Sequence, residues 1–121
     1  MEFIRKEVPV GDDSIVETFR SRADAPVLVL LPGSFNDERL WVRTAEYFCR
    51  PLDVVVINLQ GHGGSRPAMP RSTIEEYTSI VLRALDGLGV DRFFIGGNSI
   101  GGMMALEAGR LAPERVRGIA A

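Results

Sequence analysis

Ser99 stands between two glycines in the run Gly97-Asn98-Ser99-Ile100-Gly101. The apolar, strand-forming Phe93-Phe94-Ile95-Gly96 leads into it, and the helix-forming Gly102-Met103-Met104-Ala105 follows. Gly-x-Ser-x-Gly at such a junction is the pattern of a nucleophile elbow, a sharp turn that lifts one serine above a sheet. The chemistry on offer is attack on a carbonyl carbon. A serine hydroxyl is a weak nucleophile at neutral pH and needs a neighbouring base. The turn demands φ > 0 at Ser99, a strain that the surrounding fold must over-determine. Side chains at Gly97 and Gly101 would collide where strand and helix approach, so glycine fits both positions. Unpaired N–H groups at the start of the helix would face the reacting centre, and the N–H of Ile100 is the expected first oxyanion donor.

A second donor is expected from the loop after an earlier strand. Val27-Leu28-Val29-Leu30-Leu31 reads as a buried strand, followed by Pro32-Gly33-Ser34-Phe35. Pro32 has no N–H to give. Gly33 lets the backbone turn, and the N–H of Ser34, ahead of that of Phe35, can aim at the oxyanion. Phe35, Asn98 and Met103 are the candidate substrate contacts. The base is the missing part. The chain holds one histidine, His62, which reads as a loop residue that holds the turn after the fourth strand. Cys49 reads as a helix-face thiol, not a nucleophile. Met103 and Met104 could line an acyl pocket, but core positions in a buried helix are the plainer reading. Trp41 reads as a packing residue, and Asp37 and Glu38 as helix N-terminal caps. One histidine and one cysteine cannot build a metal site, and no cofactor is expected. The phosphate-cradling patterns Gly-x-x-x-x-Gly-Lys-Ser/Thr and an early Gly-x-Gly-x-x-Gly are absent.

The elements that must position these residues alternate along the chain. Residues 5–10 and 14–21 read as two strands joined at Gly11-Asp12-Asp13, a hairpin. Strand 27–31 follows. A helix is expected over 37–50, with Leu40, Trp41, Ala45 and Phe48 on one face and Pro51 as its stop. Residues 53–59 are apolar without alternation, as a strand covered on both faces should be. A second helix begins near Ser72 or Thr73, where Glu75 or Glu76 can close a capping box. Its apolar face is Ile74, Tyr77, Val81, Ala84, Leu85 and Leu88, and Gly87 and Gly89 end it. Strand 92–96, helix 99–111 and strand 116–121 complete the series. This alternation predicts an α/β fold, a mainly parallel central sheet flanked by helices. No repeat or low-complexity segment occurs, and residues 61–70 form the only loop of linker-like composition.

Composition bounds the function. At 121 residues the chain is one domain at most. A hydrophobic content of 45% and a charged content of 25% suit a domain with a core. The net charge of −2 gives no attraction for nucleic acid. The N-terminus, Met1-Glu2-Phe3-Ile4-Arg5-Lys6-Glu7, has no apolar signal-peptide core. The apolar run 27–31 is far too short to span a membrane. A single cysteine excludes an internal disulfide, which fits a reducing, cytoplasmic setting.

Four stretches in order carry a family resemblance. Leu31-Pro32-Gly33-Ser34 resembles an oxyanion loop, usually His-Gly. Asn58-Leu59-Gln60-Gly61-His62-Gly63-Gly64-Ser65 resembles the Asp-x-x-Gly-His-Gly-x-Ser loop after the fourth strand. Gly97 to Gly102 resembles the elbow, and Pro113-Glu114-Arg115-Val116 the turn before the sixth strand. The chain is similar, over nearly its whole length, to the N-terminal half of an α/β-hydrolase-fold enzyme. Pro32 departs from the usual histidine and Asn58 from the usual aspartate. Asn98 before Ser99 is similar to carbon–carbon bond hydrolases, but Ser34-Phe35-Asn36-Asp37 does not match their Ser-Gly-Pro-Gly loop.

The resemblance implies a serine hydrolase acting on a small ester, thioester, amide or lactone through an acyl-enzyme on Ser99. It implies that His62 is not the catalytic histidine. The family's acid and histidine follow later strands, and no position here corresponds to either. They are expected from outside this chain, so that these residues alone would be inactive. The cap and the last strands of the fold are likewise expected elsewhere, in a missing C-terminal segment or a second chain that completes the sheet at an open sixth strand. The alternatives are a carbon–carbon bond hydrolase or acyltransferase on the same fold, or a non-catalytic ligand-binding or assembly module.

Overall fold

A computed structural model describes residues 3–69 and 72–121. Pro70, the last residue of the Gly- and Pro-containing loop, lies outside them. The elements are β1 (Ile4–Val10), β2 (Ser14–Arg20), β3 (Val27–Leu31), a 3-10 turn η1 (Glu38–Trp41), α1 (Val42–Phe48), β4 (Asp53–Ile57), α2 (Ile74–Gly87), β5 (Phe93–Gly97), α3 (Ile100–Leu111) and β6 (Val116–Ala120).

The six strands form one sheet in the order β1-β2-β4-β3-β5-β6. The hairpin β1–β2 is antiparallel, and β2 joins β4 antiparallel. From β4 onward every pairing is parallel. The alternation of strands and helices therefore gave the expected mainly parallel sheet. β4 is buried at every position, as its unbroken apolar run requires.

Two cores follow from the pleat. Val27, Val29 and Leu31 of β3 point with Phe93, Ile95 and Ile57 into the face covered by α2 and α3, where Val81, Leu85, Met104 and Ala108 meet them. Leu28 and Leu30 point the other way, toward Val54, Val56, Ala45 and Cys49 under α1. A charged pair closes one end of the sheet. Asp53 is fully buried, and Arg20 reaches it with Nη2–Oδ2 2.7 Å and Nε–Oδ2 2.8 Å.

Two elements differ from the sequence reading by more than one residue at an end. The helix expected over 37–50 is a 3-10 turn followed by a seven-residue α-helix, and of its expected apolar face only Ala45 is buried. Asp37 caps the turn by accepting the Arg39 N–H, which draws the first residues into the tighter helix; Leu40 and Phe48 remain exposed. β4 ends at Ile57, not 59: the Asn58 N–H makes one more bond to the Glu17 carbonyl of β2, and the chain then turns. At α2 the Thr73 hydroxyl accepts the Glu76 N–H while the Glu76 carboxylate accepts the Thr73 N–H, so Glu76 closes the capping box.

Candidate active site

The candidate residues gather at the carboxyl ends of β3, β4 and β5, where open α/β sheets place their ligand crevices. Ser99 caps α3 at φ +57°, ψ −120° and is exposed. It is one of two non-glycine residues with positive φ among those described; the other is Phe35 at +63°. The reason for the glycines is geometric. A Cβ on Gly97 would overlap the Gly101 carbonyl, and one on Gly101 would overlap the Leu31 carbonyl. Helix, elbow and β3 are thus packed backbone to backbone, and the Asn98 N–H bonds the Leu31 carbonyl at 3.2 Å.

The loop after β3 lies against this turn. A Cβ on Gly33 would sit 3.2 Å from the Ser99 Cβ and 3.0 Å from the Asn98 carbonyl oxygen. Residues 33–36 form a turn closed by the Asn36 N–H on the Gly33 carbonyl at 3.1 Å. Within it the Phe35 N–H donates to His62 Nε2 at 3.0 Å. The N–H groups of Ser34 and Ile100 have no acceptor among the described residues. Ile100 opens a twelve-residue helix, so the positive end of its dipole faces the crevice.

The structure brings Ser99, Asn98 and Gly33 together, with Ser34 next along the Gly33 turn. Met103 lies on the exposed side of α3 at 57% exposure, whereas Met104 is fully buried, so the two methionines divide between surface and core. Phe35 projects at 96% exposure, with its ring edge-on to His62, centroids 6.4 Å apart. His62 serves the turn after β4, as read from the sequence: its backbone N–H bonds the Leu59 carbonyl, and its own carbonyl accepts the Ser65 N–H. The other ring nitrogen, Nδ1, lies 3.3 Å from the Gln60 carbonyl oxygen.

A second polar group supports the crevice from below, and the sequence reading missed it. Glu17 on β2 is buried. Its carboxylate accepts the Gly64 N–H at 2.6 Å, Arg5 Nε at 2.6 Å and Asn58 Nδ2 at 2.8 Å. Asn58 Nδ2 also reaches Glu38 Oε1 at 3.1 Å, and Ser65 Oγ accepts the Glu17 N–H at 2.8 Å. Burial pushes the Glu17 carboxyl up, but the Gly64 N–H, Arg5 and Asn58 together hold it below the usual carboxylate range. Gly63 and Gly64 leave room for this carboxylate, since Cβ atoms there would meet its oxygens at 2.7 and 2.6 Å. The signal available in the sequence was a lone glutamate in mid-strand; its partner loop is remote in sequence. Among the described residues no group of three or more His, Cys, Asp or Glu gathers as metal ligands would, and no helix is long and apolar enough to cross a membrane.

Comparison with known proteins gives the family. The chain is 34% identical over 89 residues to the dihydrolipoyllysine-residue acetyltransferase component of the acetoin cleaving system of Pseudomonas putida, covering 74% of this chain and 24% of that protein. It is 36% identical over 93 residues to RutD of Pseudomonas savastanoi pv. phaseolicola, a protein named for carbamate hydrolysis, covering 76% of this chain and 36% of that one. Among solved structures, Est816, described as an N-acyl homoserine lactone degrading enzyme, superposes with a TM-score of 0.86 at 29% identity, over 94% of this chain and 43% of that one. The chain thus spans a quarter to a little over a third of the length of these two curated relatives. The family model described as alpha/beta hydrolase fold matches residues 26–121, from the strand before the Gly33 turn through β6. The chain belongs to the alpha/beta hydrolase fold family.

Proposed function

We propose that the chain is the nucleophile-bearing part of a serine hydrolase. Ser99 attacks the carbonyl carbon of a small ester, thioester, amide or lactone. The N–H groups of Ile100 and Ser34 hold the developing oxyanion, and water releases the acyl group. The observation that carries this reading is the strained, exposed Ser99 at the N-terminus of α3, with the Gly33 turn packed against it; the N–H groups of Ile100 and Ser34, next in sequence to Ser99 and Gly33, have no acceptor among the described residues. Strained residues held by their surroundings cluster at functional sites, and donors fixed before reaction supply much of the stabilisation in acyl transfer.

His62 does not act as the base in this scheme, because its Nε2 is engaged by the Phe35 N–H. The base and its orienting acid come from residues beyond these 121 or from a second chain. The same segment covers the edge strand β6 and the apolar trough beside it. That trough, about 560 Å³, runs between α1 and β6 and is lined by Leu28, Leu30, Trp41, Phe94 and Ile119 among others. Phe35, Asn98 and Met103 contact substrate. The names of the relatives, an acetyltransferase component, a carbamate hydrolase and a lactone-degrading enzyme, all describe work on an acyl or carbamoyl carbon, which supports the reaction class and leaves the leaving group open.

The test is turnover of short aryl esters and lactones by the complete protein, with intact mass recorded in the first turnovers. An acyl-sized mass increment that Ser99→Ala abolishes, together with loss of turnover, is expected. Turnover that survives Ser99→Ala rejects the assignment.

A further inference from the structure

Phe35 sits at φ +63° with its ring 96% exposed. It is the third residue of the turn 33–36, which the Asn36 N–H closes on the Gly33 carbonyl at 3.1 Å. Positive φ at that position ordinarily falls to glycine or asparagine. No burial of the phenylalanine ring offsets the strain, and its aromatic neighbour among the described residues is the His62 ring, edge-on at 6.4 Å. Polar contacts hold the backbone instead. The Phe35 N–H donates to His62 Nε2 at 3.0 Å, and Asn36 Nδ2 donates to the Ser34 carbonyl at 3.2 Å. A large apolar ring is thus held out in water on a strained backbone, and strain of this kind clusters at ligand contacts.

The turn that carries Phe35 is the one packed against the candidate nucleophile. A Cβ on Gly33 would lie 3.2 Å from the Ser99 Cβ. Two residues of chain span at most about 7 Å, so the Phe35 Cα lies within that distance of the Gly33 Cα. Met103 stands on the helix side. Its N–H bonds the Ser99 carbonyl at 3.1 Å, which places it one turn further along α3. A helical side chain lies over the turn before its own Cα, here the turn that begins at Ser99, and Met103 is exposed. Ser99 therefore has one exposed apolar side chain on its loop side and another on its helix side. Neither lines the apolar trough between α1 and β6, so a segment that fills the trough does not thereby cover them.

We propose that Phe35 is a specificity-determining residue that selects substrates with an extended apolar group next to the scissile carbonyl. The ring is a surface on which that group lies, and each methylene laid on it leaves water, so affinity rises with chain length. The inference rests on the reading of Ser99 as nucleophile, and it narrows the substrate from any small ester to an apolar one.

The experiment uses the complete protein carrying Ser99→Ala, which removes the hydroxyl, alone and with Phe35→Asn or Phe35→Leu added. Ethyl acetate, ethyl hexanoate and hexyl acetate are titrated into each by calorimetry. Asparagine tolerates positive φ but removes the apolar surface, whereas leucine keeps an apolar surface at the strained position. One of the hexyl-length esters is expected to bind at least about tenfold more tightly than ethyl acetate: ethyl hexanoate where the chain lies on the acyl side, hexyl acetate where it lies on the alcohol side. Phe35→Asn should bring that preference to within about threefold of parity while Phe35→Leu keeps most of it, and Phe35→Asn should melt no lower than its parent. No preference in the parent, a preference that survives Phe35→Asn, or an equal loss in Phe35→Leu overturns the proposal. So does a lower melting temperature for Phe35→Asn with the preference intact, which would mean that protein and not substrate covers the ring. Fluorophosphonate labelling of the protein with Ser99 in place is a separate measurement. Absence of label rejects the nucleophile reading, while the ester affinities, taken without the hydroxyl, still decide whether Phe35 is a ligand contact.

Discussion

Ser99 carries a Cβ at φ +57°, ψ −120°, a conformation that costs on the order of 1–3 kcal/mol in a residue other than glycine. What keeps it there is the close contact of Gly97 with Gly101 and of Gly101 with Leu31. Ser99→Gly and Ser99→Ala should therefore separate strain from chemistry. Both remove the hydroxyl, but only glycine releases the strain, against an entropic cost of about 0.5–1 kcal/mol. Ser99→Gly is expected to melt at a higher temperature than Ser99→Ala; an equal or lower melting temperature would show that the turn is not strained at this residue. The serine and its glycines were legible in the sequence because the turn leaves no other residue type room. Phe35 was legible only as a neighbour of the loop, since nothing in its type announces positive φ. The role of His62 was half legible. Its place in the turn after β4 follows from the Gly-rich run, whereas its bond to the Phe35 N–H joins residues 27 positions apart, which only the sheet order brings together.

At the scale of elements, the site depends on how loops are tied to strand ends. Glu17 holds the loop after β4 through the Gly64 N–H and the Asn58 side chain. Its carboxyl is held low in the folded state, so the stability it contributes is present above the ordinary glutamate pKa of about 4.3 and is lost as pH falls through the depressed folded value. Glu17→Gln is expected to lower urea stability at neutral pH, with the gap from wild type closing as pH falls below that range. A gap independent of pH would contradict a charged Glu17. The capping box of α2 gives a plainer case: Thr73→Ala should cost about 1 kcal/mol in urea unfolding, and no change would mean that the box contributes nothing. The capping box could be read from Thr73 and Glu76 because it is a local pattern. The break of the first helix into η1 and α1 could not, because the apolar positions Leu40, Trp41 and Phe48 keep helical spacing while the backbone follows the Asp37 cap.

For the whole molecule, the sheet has one well-covered face and one that α1 covers only in part. Alternation of strands and helices made the parallel sheet legible, but not the strand order, since β3 inserts between β4 and β5 through contacts remote in sequence. The pair of buried Asp53 with half-buried Arg20 joins β2 to β4 at the junction between the antiparallel and parallel halves. Arg20→Met would strand a buried carboxylate and should cost about 3–5 kcal/mol in unfolding free energy; a loss below 1 kcal/mol would show that the carboxylate is not buried as described. The trough beside β6 bears on completeness. Trp41 Nε1 is buried beside it with no hydrogen-bond partner among the described residues. An apolar surface of this kind marks a contact to be made. These 121 residues on their own should bind a hydrophobic dye that the complete protein does not; equal dye binding by both would remove the covering segment from the proposal.

The central claim is that Ser99 is the nucleophile. Its most direct test is fluorophosphonate labelling of the complete, folded protein followed by mapping of the modified peptide. The account predicts one adduct per chain, located on Ser99 and absent in Ser99→Ala. A folded protein that takes no label, or one whose label persists in Ser99→Ala, would contradict it.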